Sequence, residues 1–145
     1  MVGEIGLLIV GPSGSGKTSL ALALMERAND RGLFSALVCD DQVVLSQANG
    51  HTLARAHPTL VGQAELSGIG IATVRSRPAA LLRAVLSLAN GDAPRDFDAA
   101  VDDTTSLPLI RLGARRCNAN CMLVLTLIGD GEPRRFEHRL KAMAA

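Results

Sequence analysis

The segment Gly11-Pro12-Ser13-Gly14-Ser15-Gly16-Lys17-Thr18 constrains this chain more than any other. Its spacing is G-x-x-x-x-G-K-[ST], the phosphate-binding P-loop. Glycines let backbone N–H groups turn inward around an anion. The loop opens onto a helix N-terminus, whose dipole favours negative charge. The flanking residues supply the context that the motif requires. Gly6-Leu7-Leu8-Ile9-Val10 reads as a buried strand before it, and Ser19 to Arg27 reads as a helix after it. Strand, glycine loop and helix in that order predict an α/β fold, a P-loop NTPase-like sheet with flanking helices. Lys17 is spaced to reach the β- and γ-phosphates, and the Thr18 hydroxyl to ligate Mg²⁺. The expected nucleotide-binding set is Gly11, Ser13, Gly14, Ser15, Gly16, Lys17, Thr18 and Ser19. Lys17 stands out further because Lys141 is the only other lysine among 15 basic residues.

Composition narrows the function classes. A chain of 145 residues is read as one domain, residues 1–145, with room for a real core. Its apolar runs are broken by Arg, Asn or Gly before they reach membrane-spanning length. Met1 to Glu4 carry no basic n-region, so a cytoplasmic location is expected. The net charge is +1, Trp and Tyr are absent and Phe occurs three times. That balance argues against a nucleic-acid or membrane-surface partner. Cys39, Cys117 and Cys121 are an odd set, which argues against a disulfide framework. Cys117 and Cys121 share a helix face at i, i+4 but lack a nearby His pair, so they are expected as packed thiols rather than zinc ligands.

Along the chain, helix one is expected from Lys17 to about Asn29, with Gly32 at its C-terminal cap. Ser35-Ala36-Leu37-Val38-Cys39 reads as a second buried strand stopping at Asp40-Asp41. Val43–Ser46 and Thr52–Arg55 flank Asn49-Gly50, a hairpin signal. His57–Gly62 reads as a connector, and Glu65–Ile71 as a second glycine-rich segment followed by Ala72-Thr73-Val74. Ala79–Leu88 is apolar with poor alternation and fits strand or helix. Asn90–Asp103, with Asp92, Asp96, Asp98, Asp102 and Asp103, reads as a solvated loop. Leu107–Leu112 is a strand candidate, Met122–Ile128 an apolar run, and Glu132–Ala145 an amphipathic helical tail.

A P-loop binds phosphate; the reaction depends on what faces it. Asp40 and Asp41 stand where a strand would end on the binding edge of a parallel sheet. One carboxylate there can serve Mg²⁺, and the other can accept a proton from an attacking hydroxyl. Glu65, beside a Gly-x-Gly turn, is a further candidate acid.

The P-loop, Val38-Cys39-Asp40-Asp41-Gln42-Val43 and Glu65-Leu66-Ser67-Gly68-Ile69-Gly70-Ile71 occur in one order and spacing. Together they resemble the C-terminal catalytic domain of HPr kinase/phosphorylase, in the short form lacking the N-terminal domain. The likeness runs from about Gly6 to Val74 and faintly through Ser106–Ile110. It implies an ATP- and Mg²⁺-dependent serine kinase, and a phosphorylase in reverse, acting on the phosphocarrier protein HPr of the phosphotransferase system. It implies the fold of that domain and a hexamer. By resemblance, Lys17 binds phosphates, Thr18 and Glu65 match the Mg²⁺ ligands with Asp40 beside them, and Asp41 matches the general base. The family's Arg two residues after the Glu is Ser67 here, its upstream His has no counterpart before Gly11, and its Gly-Arg-Asn segment has only Arg111, Arg115 and Arg116 as stand-ins. A weakly active or inactive nucleotide-binding regulator and a small-molecule P-loop kinase stay open as alternatives.

Overall fold

The computed structural model describes residues 1–40, 42–57, 62–66, 68–90 and 100–143. Its elements are β1 (Gly6–Val10), α1 (Lys17–Asp30), β2 (Val43–Ala48), β3 (His51–Ala56), β4 (Gln63–Leu66), β5 (Gly70–Thr73), β6 (Ala79–Ala89), β7 (Leu109–Gly113), α2 (Cys117–Ile128) and α3 (Pro133–Met143). Ala79–Ala89 is thus a strand, and it is the hub of the five-stranded sheet. Strand order is β1-β6-β3-β2, with β7 also on β6. β1 and β7 run parallel to β6, with Leu8 opposite Val85 and Val85 opposite Leu109. β3 runs antiparallel to its first residues, with Leu53 opposite Leu81. This explains the irregular sequence pattern of β6. Its first half alternates, with Ala80 and Leu82 buried and Leu81 exposed, as an antiparallel strand with one open face does. Its second half, flanked by the parallel strands β1 and β7, is buried at Ala84, Val85 and Leu86 in succession, and Ala84 and Leu86 join the core cluster with residues of α1, α2 and α3.

The predicted hairpin forms where Asn49 and Gly50 take positive φ of 51° and 74°, the pair of left-handed residues that a type I′ turn requires. α1 buries Leu20, Leu24 and Ala28 at a spacing of four, and Gly32 at φ 72° closes it. α2 buries Val124, Leu125 and Ile128, and α3 seals the cluster with Phe136 and Leu140. Glu132 caps α3, its carboxylate accepting from the N–H groups of Arg134 and Arg135. No helix among the described residues is long and apolar enough to cross a membrane.

One predicted strand does not form as such. Ser35 and Leu37 make isolated bridges, to Val2 and Ser76, and Leu37 exchanges its N–H and C=O with Arg75 and Arg77 only. The segment is buried like a strand from Ser35 to Leu37 but has a single bridging residue on each side, so no ladder is built. The structure also starts β7 at Leu109 rather than Leu107. Most of the connector, residues 58–61, and the acidic loop from 91 to 99 lie outside the described residues.

Candidate active site

β1 ends at Val10 and α1 begins at Lys17, so the glycine motif bridges strand and helix as the spacing requires. Gly11, Gly14 and Gly16 all have positive φ, at 152°, 71° and 95°. Gly11 also has no room for a side chain: a Cβ would sit 2.6 Å from the Leu88 carbonyl oxygen of β6. Gly16 is the N-cap of α1, carries no capping side chain, and no acidic residue occupies the first helical turn. The helix's first N–H groups and its dipole are therefore open to an anion. The Lys17 ammonium folds over the loop, donating to the carbonyls of Gly11 and Pro12, both at 3.0 Å. Ser13 and Ser19 are exposed, whereas the Ser15 side chain is turned inward and only 3% of that residue is exposed.

The metal-side candidates meet. The Thr18 hydroxyl donates to Asp40 Oδ1 at 2.8 Å. Asp40 Oδ2 accepts from the backbone N–H of Glu65 at 2.8 Å. One carboxylate thus ties the start of α1 to the β4–β5 ribbon, across 22 and 25 residues of sequence. Asp40 reaches this place from the bridged segment 35–40 rather than from a strand end. Hydroxyl and carboxylate oxygens are the donor set that Mg²⁺ prefers, with phosphate and water completing the shell. Among the described residues no three His, Cys, Asp or Glu side chains form a metal cluster by themselves. A cavity of about 430 Å³ opens beside Lys17 and Asp40, walled by Leu37, Val38, Val43 and Leu45. Asp41 and Ser67 lie outside the described residues.

Of the three stand-in arginines, the fold brings Arg115 to the loop. It follows β7 at a positive φ of 59°. Its N–H donates to the Ser15 carbonyl at 3.0 Å and its Nε to the Gly14 carbonyl at 3.4 Å. Arg111 lies exposed on β7. Cys117, two residues after Arg115, donates to the Ser19 carbonyl at 3.4 Å, so α2 starts against α1. Sequence offered no signal that singles out Arg115, since a non-glycine residue at positive φ carries no local motif.

Comparisons with known proteins bear on the family and the fold. The sequence model of the HPr serine kinase C-terminal domain matches residues 1–78. HPr kinase/phosphorylase of Neisseria meningitidis is 36% identical over 97 residues, which cover 61% of this chain and 28% of that protein. The enzyme of the same name from Clostridium beijerinckii is 38% identical over 73 residues, covering 50% of this chain and 22% of its own length. The chain thus spans less than a third of these curated relatives. The structure of the Hpr(Ser) kinase/phosphatase from Coxiella burnetii matches with a TM-score of 0.69 at 27% identity, over 95% of this chain and 85% of that one. The structural likeness, over 95% of this chain, therefore extends past residue 78, where the family's sequence model ends. The chain belongs to the HPr serine kinase C-terminal domain family.

Proposed function

We propose that residues 1–145 act as one ATP- and Mg²⁺-dependent kinase unit that phosphorylates a serine of HPr, with phosphorolysis as the reverse reaction. The observation that carries this reading is the Thr18–Asp40–Glu65 bridge standing beside an open glycine loop. The relatives are named for this activity, and Lys17, Thr18, Asp40 and Glu65 are groups of the kind that phosphoryl transfer needs. Lys17 and the loop amides would hold the β- and γ-phosphates. Thr18, Asp40 and Glu65 would hold Mg²⁺, which supplies charge neutralisation at the transferring phosphoryl group. Asp41 would accept the serine proton, and Arg115 fixes the loop through the Gly14 and Ser15 carbonyls. A cytoplasmic location and a hexamer belong to the same reading by family likeness.

A second reading is a nucleotide-binding regulator, favoured by Ser67 where the family has Arg. An Arg there would bring a delocalised charge and a fork of donors that serine lacks. The deciding experiment is transfer of radiolabelled γ-phosphate from ATP to purified HPr, with Asp41→Asn as control. The kinase reading expects label on HPr and its loss in the variant with ATP binding retained. Tight ATP binding without any label on HPr selects the regulator.

A further inference from the structure

The ribbon of β4 and β5 leaves two large apolar side chains in water. Ile69 is 84% exposed and Ile71 is 73% exposed. A scattered surface isoleucine is ordinary, but this pair has a defined place. Register sets Glu65 opposite Ile71 and Gln63 opposite Thr73. Those four residues are exposed while Ala64 is buried, so their side chains share the solvent face of the ribbon. Opposed Cβ atoms in such pairs lie about 4.5–5.5 Å apart, which puts Ile71 directly beside the Glu65 carboxylate. The alternation continues past β5, where Arg75 and Arg77 are exposed and Val74 and Ser76 are not. Both guanidinium groups lie over the Phe34 ring, 5.8 and 5.1 Å from its centroid. From Ile71 to Arg77 the extended chain runs about 20 Å.

We propose that this face, from Ile69 and Ile71 to Arg75 and Arg77, docks the protein that receives the phosphate. Its occupant is a segment with apolar side chains next to the acceptor hydroxyl and acidic side chains further along. The inference rests on the kinase reading above. Glu65 is hydrogen-bonded through its N–H to Asp40, and Asp40 to Thr18. A hydroxyl that approaches this cluster across the solvent face of the ribbon passes Ile71. Desolvating the two isoleucines supplies apolar contact at the reacting end, and the stacked arginines select the opposite charge at the far end. A small-molecule acceptor would leave a strip of this length unused. An anionic bilayer would also attract isoleucine and arginine, but insertion would carry the Glu65 carboxylate toward it, at a desolvation cost.

The test is anisotropy of fluorescently labelled HPr titrated with the full chain, for the wild type, Ile69→Ser/Ile71→Ser and Arg75→Glu/Arg77→Glu. Each double variant is expected to raise Kd at least tenfold, with ATP-analogue affinity by calorimetry changed less than twofold. In turnover, KM for HPr rises while kcat holds. HPr binding by the isoleucine variant equal to wild type overturns the proposal, as does a wild type that binds no HPr. Co-sedimentation with phosphatidylserine vesicles that needs the isoleucines, while HPr binding does not, also overturns it. Isoleucine-dependent HPr binding without phosphate transfer supports the surface and removes the kinase reading instead.

Discussion

Replacing Asp40 by alanine removes the carboxylate that ties the start of α1 to the β4–β5 ribbon. Two hydrogen bonds at 2.8 Å are lost, one from the Thr18 hydroxyl and one from the Glu65 N–H. Bonds to a charged acceptor contribute about 1.5–3 kcal/mol each, but water reaches both donors here. After that discount the pair stabilises the fold by about 1–2 kcal/mol. For a chain of this size the thermal midpoint should fall by about 3–8 °C. Mg²⁺-dependent nucleotide affinity should fall further, by at least tenfold or about 1.4 kcal/mol, if Asp40 also faces the ion. Asp40→Asn should lie between wild type and alanine. Its carbonyl oxygen still accepts from Thr18, while its NH₂ group cannot accept from Glu65. The assay is calorimetric titration of ATP with Mg²⁺ and again with EDTA, so that the metal-dependent part is isolated. An Asp40→Ala protein that keeps the full Mg²⁺ enhancement would refute the metal role, and an unchanged midpoint would refute the bridge.

Lys17→Ala should weaken Mg²⁺–ATP binding at least tenfold, about 1.4 kcal/mol, by the same calorimetry; equal affinities would remove the phosphate role. Gly11→Ala should unfold more readily in urea than Gly14→Ala. A Cβ at Gly11 meets the Leu88 carbonyl at 2.6 Å, whereas at Gly14 it meets nothing within 4 Å and only the positive φ opposes it. Phe136 is fully buried among α2 and α3, so Phe136→Ala should cost about 3–5 kcal/mol in denaturant unfolding. Burial raises the Cys121 thiol pKa, so iodoacetamide at pH 8.5 should modify Cys39 and Cys117 before Cys121, as peptide mapping would show. A thiol whose folded pKa is raised gives stability that is present below the unfolded value, about 8.5, and lost as pH rises through the folded one. The destabilisation of Cys121→Ser relative to wild type should therefore be smaller above that range than below it, as urea unfolding at the two pH values would show.

What the sequence by itself determined lies within short stretches of chain. The glycine loop, the start and end of α1, the Asn49-Gly50 turn and the amphipathic α3 all follow from residues a few positions apart. Their causes are local: positive φ at glycine and asparagine, a helix period, a capping carboxylate. The family likeness rested on three such stretches, Gly11–Thr18, Val38–Val43 and Glu65–Ile71. Tertiary structure decided the rest. Whether Ala79–Ala89 became strand or helix was open in an apolar run of that length, and two parallel neighbours settled it. The reading of 35–39 as a strand failed because burial alone resembles a strand, while a ladder needs a continuous partner. Asp40 found Thr18 and Glu65, and Arg115 found Gly14, only because the fold brings residues 22 to 101 positions apart within a hydrogen bond. Periodicity and spacing encode which face a residue takes; they do not encode which distant atom meets it there.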